Sequence, residues 1–214
     1  MDFRCLIFDV DGTLVSNTAL IVELYQELFW KYKQVQISPE EIIGMFGPPD
    51  ERIIAEHLPN DKDEAMQYFL EQYEQRHPEA GHFSRQELDA LREKGYQLAI
   101  FTGKGRLSLD ITLKKLHLDG YFDFIVSGTD VSQSKPFPDG LLKIIEAMKM
   151  PKERVLFIGD SPLDVTAARK AEISVVGALW GSVEKRKLRA IDPDYLFEEP
   201  AALLRWLKNP TSMF

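Results

Sequence analysis

Five short runs of β-branched and aromatic residues do most to limit what this 214-residue chain can become. They cover residues 3–9, 96–101 (Tyr-Gln-Leu-Ala-Ile-Phe), 122–126 (Phe-Asp-Phe-Ile-Val), 154–158 and 173–178. Several are apolar almost throughout, the pattern of strands buried on both faces of a parallel sheet. Helix-period stretches lie between them, at 84–94, 105–116, 138–149 and 162–171. Such alternation predicts an α/β fold with a Rossmann-like, three-layer parallel-sheet core. With 44% apolar and 28% charged residues, the chain can bury that core.

Residues 16–80 break the rhythm. Helical patterns near 18–32, 39–44, 50–57 and 61–76 follow one another with no strand between, punctuated by Pro39, Pro48-Pro49 and Pro59. The expected division is a core of 1–14 and 83–214 with an inserted all-helical cap of 15–82. The charge divides in the same way. The formal net charge is −8, and residues 15–82 hold 13 acids against 5 bases, whereas the remainder holds 21 of each. An acidic chain argues against nucleic acid or an anionic membrane as a general partner, since both need clustered Lys and Arg. The only cysteine, Cys5, lies in an apolar run and is expected as a small buried side chain. No apolar stretch reaches membrane-spanning length and no basic-then-apolar leader opens the sequence, so a soluble, cytoplasmic protein is expected. Its oligomeric state is left open.

The first strand runs straight into Asp9-Val10-Asp11-Gly12-Thr13. In an extended chain residues i and i+2 share a side, so Asp9 and Asp11 can share a site, and Gly12 permits a sharp turn. In open α/β sheets ligands bind beyond the carboxyl ends of the strands. Two acids there are also compatible with a solvated loop or a helix cap. The strand ending at Ile158 continues into Gly159-Asp160-Ser161-Pro162-Leu163-Asp164, where Ser161 reads as an N-cap and Pro162 as the first helical residue. Asp160 and Asp164 are spaced to face one region, although Asp164 could simply partner the helix dipole. Acids at two strand ends favour a hard-cation site suited to Mg²⁺. Thr102-Gly103-Lys104 offers a hydroxyl and backbone amides to an anionic oxygen. Lys104 itself is expected on the surface, whereas Lys135 is framed by a polar loop and prolines.

Together, Asp9–Thr13, Thr102, Lys135-Pro136 and Gly159–Asp164 resemble, in order, the motifs of the haloacid dehalogenase-like superfamily of aspartate-nucleophile phosphatases. Gly177-Ala-Leu-Trp180-Gly181 and Pro193-Asp194-Tyr195 look like the C-terminal region of its phosphoglycolate-phosphatase-like members. The resemblance implies that Asp9 is the nucleophile and forms an aspartyl-phosphate, while Asp11 is first acid, then base. It implies Mg²⁺ held by the Asp9 and Asp160 carboxylates and the Asp11 main-chain carbonyl, with Asp164 supporting that shell. Thr102, Gly103 and Lys135 would hold phosphoryl oxygens of a small phosphorylated metabolite. Dehalogenation is disfavoured because dehalogenases lack the second aspartate. Phosphonate cleavage is disfavoured because no cap lysine suits a Schiff base. Val15-Ser16-Asn17 departs from the Asp-Ser that many relatives carry after this motif, a difference placed at the cap hinge. Phosphatase action on a small monoester is the leading expectation. Sugar phosphomutase, pyrophosphatase and a phosphoryl-ligand binding or regulatory module are the alternatives.

Other features have plainer readings. Thr102-Gly-Lys-Gly-Arg lacks Walker spacing, and no Gly-x-Ser-x-Gly elbow is present. His57, His77, His82 and His117 are expected to be solvated or capping rather than metal-ligating. Lys185-Arg186-Lys187-Leu188-Arg189 is expected to be a solvated helix face. The aromatics Phe29, Trp30, Tyr68, Phe69 and Tyr73 are expected to pack the cap. Arg52, beside Gly47-Pro48-Pro49, is a candidate substrate contact from the cap.

Overall fold

The computed structural model describes residues 2–208. Strand β1 (Cys5–Phe8) leads into four consecutive helices: α1 (Thr18–Lys33), α2 (Pro39–Ile43), α3 (Asp50–His57) and α4 (Lys62–Arg76). Alternation then resumes with α5 (Arg85–Glu93), β2 (Gln97–Phe101), α6 (Arg106–Lys115), β3 (Phe124–Val126), α7 (Asp139–Met148), β4 (Val155–Gly159) and α8 (Pro162–Ala171). The chain continues through β5 (Ser174–Ala178), α9 (Lys185–Ala190), β6 (Tyr195–Phe197) and α10 (Pro200–Lys208).

Among the described residues the strands form one parallel sheet in the order β3-β2-β1-β4-β5-β6. β1 lies between β2 and β4, with Phe8 opposite both Ile100 and Ile158. From β1 the chain winds outward one way to β3, then returns to build the other half from β4. The switch therefore falls between β1 and β4, where the strand ends open a crevice. Period-two alternation divides the sheet's side chains between two apolar layers. Leu6, Phe8, Ile100 and Ile158 pack with α5, α6 and α10. Cys5, Ile7, Phe101 and Phe157 pack with α7 and α8. Burial pushes the Cys5 thiol up to about 12, helped by the charge of Asp123, so it is an inert core group.

The inserted helices carry an apolar cluster of their own, built on Leu24, Tyr25, Leu28, Ile42, Ile53, Phe69 and Tyr73. Phe29, Phe69 and Tyr73 pack the cap as expected and Tyr68 is partly buried, but Trp30 stands 52% exposed. Strand β6 and helix α10 were not anticipated. Three residues are too few to show alternation, although Leu203, Leu204, Trp206 and Leu207 in α10 do keep a helical period and are buried. The basic run forms α9, which buries Leu188 and leaves its Lys and Arg side chains exposed. Among the described residues no helix is long and apolar enough to cross a membrane.

Candidate active site

The loop after β1 is wound around one carbonyl: Val10 O accepts from the N–H groups of Thr13, Leu14 and Val15 at 3.1, 2.8 and 3.1 Å. Gly12 makes this winding possible. Its φ is +79°, and a Cβ there would stand 2.2 Å from Asp160 Oδ2. The close approach brings the β1 and β4 loops together. The indole of Trp180, after β5, clamps the same loop by donating to Thr13 O at 3.0 Å. Ser161 and Asp164 form a reciprocal capping box at the start of α8, with Pro162 in its first turn.

Lys135, in the loop after β3, sits between two acids. Its Nζ is 2.9 Å from Asp9 Oδ2 and 2.6 Å from Asp164 Oδ1, with all three side chains buried. Asp164 Oδ2 accepts from the Ser161 N–H and hydroxyl at 2.9 and 2.6 Å. Both oxygens of Asp164 are therefore engaged, and its place is to hold Lys135 and the α8 terminus. Asp9 differs: Oδ1 is buried without a partner. Burial raises the Asp9 carboxyl to about 6, against the opposing pull of Lys135 and with a push from Asp164. Burial and the charges of Asp164 and Asp9 raise Asp160 well above the carboxylate range. Burial opposes the charge on Lys135, yet Asp164 and Asp9 hold its ammonium above its ordinary value.

One oxygen each from Asp9, Asp160 and Asp164 lie within 4.8 Å of one another. With a single ammonium among them, the cluster is short of positive charge, and Asp9 keeps an oxygen to spare. Buried, oxygen-only donors of this kind fit a hard divalent cation. Since Asp164 is already engaged, Asp9 and Asp160 are the carboxylates left to hold one.

Thr102 and Gly103 line the same cleft from the end of β2, together with Asp11, Lys104, Lys135 and Asp160. Ile21, Ile43, Phe46 and Ile53 of the cap face them across about 140 Å³, room for roughly five waters at liquid density. Arg52 is not among the cleft residues. Ile53 and Ile54 turn α3 inward, and Arg52 lies on its exposed side. Lys104 corrects the expectation of a surface lysine. Its side chain is 1% exposed, 3.2 Å from Asp11 Oδ2, and its Nζ lies 4.2 Å from the centre of the Tyr73 ring. His77 is likewise buried rather than solvated, with Nδ1 2.6 Å from Pro78 O and Nε2 3.1 Å from Thr112 Oγ1. The spacing of Lys104 gave no sign of this burial, because its carboxylate and ring partners come from distant segments.

A parallel sheet with acids, a lysine and a hydroxyl gathered at its carboxyl edge, under a helical cap, defines an α/β enzyme suited to phosphoryl chemistry. The sequence pattern of the haloacid dehalogenase-like hydrolases matches residues 6–178, and the chain belongs to that family. A protein of Caldanaerobacter subterraneus subsp. tengcongensis named "Putative pyrophosphatase PpaX" is 32% identical over 98% of this chain and 96% of its own length. The phosphoglycolate phosphatase of Aquifex aeolicus is 29% identical over 96% of this chain and 97% of its own. The crystal structure of "a predicted phosphoglycolate phosphatase" from Haemophilus somnus superposes with a TM-score of 0.80. It is 22% identical, covers 96% and 98% of the two chains, and so speaks for the fold alone. The protein is a phosphatase of this family.

Proposed function

We propose that the protein hydrolyses a small phosphate monoester with Mg²⁺, passing the phosphoryl group through Asp9. The observation that carries this reading is the division of labour on Asp9: Lys135 holds Oδ2, Oδ1 is buried and unpartnered, and one oxygen of Asp9 lies within 4.8 Å of one of Asp160. Asp9 and Asp160 would hold the cation. When bound, it would offset the repulsion between carboxylate and phosphate and stabilise charge on the transferring group.

The chain's own groups supply the rest. Asp9 attacks phosphorus as the ester P–O bond breaks, and the leaving oxygen takes a proton from Asp11. Water then attacks the aspartyl-phosphate and gives its proton to Asp11. The bond to Asp9 breaks and inorganic phosphate departs. Lys135, the Thr102 hydroxyl and the Gly103 N–H hold phosphoryl oxygens and stabilise their charge. The cap excludes bulk water from the cleft. Arg52 has no part in this scheme.

The small cleft and the relatives named for phosphoglycolate and pyrophosphate favour a compact phosphorylated metabolite as substrate. Asp9→Asn is expected to abolish phosphate release from an aryl phosphate in Mg²⁺. Undiminished release, or no release by the parent protein on any ester of a broad panel with Mg²⁺, would sink the mechanism. The same panel, including phosphoglycolate and pyrophosphate, identifies the substrate. A mutase would leave phosphate on an organic product, and a binding module would retain ligand without turnover.

A further inference from the structure

Asp11 is gripped by two side chains that phosphoryl transfer does not itself require. Its Oδ2 faces Lys104 Nζ at 3.2 Å, and its Oδ1 accepts from Asn17 Nδ2 at 2.6 Å. Asn17 stands just before α1, 1% exposed, and the same Nδ2 donates to Tyr73 Oη at 2.6 Å. That hydroxyl in turn meets Thr112 Oγ1 of α6 at 2.8 Å. A continuous buried chain thus runs from the catalytic loop, through cap helix α4, to the core helix beneath it. Lys104 belongs to the same assembly, lying over the Tyr73 ring while it holds Asp11.

We propose that Asn17 and Lys104 are positioning residues that fix Asp11 for proton delivery, and that Tyr73 makes this placement depend on a seated cap. The proposal rests on reading Asp11 as the acid. Even on a fixed loop a carboxyl side chain can rotate about two torsions, and donors on both oxygens restrict it to one setting. Lys104 supplies the charged donor, whose burial opposes its charge but whose ammonium is kept above its ordinary value by Asp11, Tyr73 and Asp50. Asn17 supplies the adaptable one. Its Oδ1 is buried without a partner, so the amide retains an acceptor to offer when the group opposite carries a proton. With Tyr73 withdrawn, Asn17 loses its second contact and Lys104 loses the aromatic face below it. Asp11 would then keep neither holder in place.

The test separates a misplaced acid from a generally damaged protein. An aryl phosphate releases a phenolate that departs without a proton, whereas an alkyl phosphate needs one. Values of kcat/KM, which report steps up to the first irreversible bond cleavage, are compared for the two esters in the full chain and in N17A, K104M, Y73F and D11N. D11N is expected to lose far more on the alkyl than on the aryl ester. N17A and K104M should lower the alkyl-to-aryl ratio by about tenfold or more, within the range set by a misaligned proton donor. Y73F, which keeps the ring and removes the hydroxyl, should lower it less, and K104R should restore part of the K104M loss. Thermal unfolding monitors folding, and should K104M not fold, N17A and Y73F decide the matter. Equal losses on both esters in N17A and K104M would reduce the contacts to structural support and overturn the proposal. A K104M loss that instead follows the number of anionic groups on the substrate would make Lys104 a substrate contact, again overturning it. If D11N itself fails to discriminate, the reading of Asp11 falls and the proposal with it. If D11N discriminates and the positioning variants do not, only the proposal falls.

Discussion

Single residues at this site are constrained by what stands within a bond length or two of them. Gly12→Ala puts a methyl group where Asp160 Oδ2 already is and forces an alanine to adopt φ +79°. The expected outcome is a protein that folds but holds Mg²⁺ about tenfold or more weakly, measured by titrating the thermal stabilisation that Mg²⁺ produces. Unchanged affinity would mean that Asp160 does not face the metal. Asp164→Ala removes a partner from Lys135 and two acceptor contacts from Ser161 at a position with no solvent exposure. Lys135 keeps Asp9, so the change should cost about 1–3 kcal/mol in urea unfolding, the usual penalty for buried donors left short of an acceptor. The acids and Lys135 were legible in the sequence because each follows an apolar strand. Strand ends in a parallel sheet converge regardless of what lies between them. Arg52 stands outside the cleft lining because helix phase, which Ile53 and Ile54 decide, leaves it on the exposed side of α3, and nearness to a proline-rich loop says nothing of that phase. Lys104 was misread because its charge is answered by Asp11 and Tyr73, 93 and 31 positions away.

Helix α6 is the seat on which the cap rests. Ser108 donates to Asp50 Oδ2 of α3 at 2.5 Å, and Tyr25 of α1 donates to Oδ1 of the same carboxylate at 3.1 Å. One turn further along, Thr112 meets both Tyr73 and His77, while Ile111 joins the cap's apolar cluster. Ser108→Ala leaves a buried carboxylate short of a donor. The balance should therefore move toward an open cap by about 1–3 kcal/mol. Faster amide hydrogen exchange along α4, with the β1 and β4 amides unchanged, is the expected reading; unaltered exchange in α4 would show that the bond does not hold the cap. Helices of this kind are readable from sequence wherever a cap residue marks the start, as at Ser161-Pro162. What pattern cannot supply is the pairing between them. Nothing along the chain announces that Asp50 and Ser108 will meet.

Charge acts on the molecule as a whole. The acidic insertion, net −8 over residues 15–82, contributes one side of the cleft and the balanced core the other. A 5′-phosphorylated oligonucleotide should therefore be turned over with a far lower kcat/KM than a small ester at low salt, and the gap should narrow as salt is added. Equal rates at low salt, or a gap indifferent to salt, would exclude an electrostatic filter. The buried carboxylates of the cleft make a second global quantity depend on pH. Asp9 is raised to about 6 from an ordinary value near 3.8, with Asp160 raised beside it and Lys135, Asp164 and Asp11 as the other charges in view. Between those two values the folded protein binds more protons than the unfolded chain. Without metal, the contribution of Asp9 to stability thus falls as pH rises from about 4 to 6. Mg²⁺ competes with those protons, and the rise in Tm that it produces should grow between pH 5 and 7. A metal-induced rise in Tm that is flat across this range would contradict the assignment of Asp9 as a ligand.

The path of the chain at the neck of the cap carries a further consequence. Leu14 and His82 flank the inserted helices, and the His82 N–H bonds Leu14 O at 2.7 Å. Departure and return are therefore neighbours, and the helices between them, seated on α6, join the rest of the chain through this one clasp. Whatever is strung on that clasp can be lengthened, shortened or exchanged without re-registering a strand. In a lineage built this way, chemistry can be inherited from the sheet while the choice of substrate is rewritten in one contiguous stretch of gene.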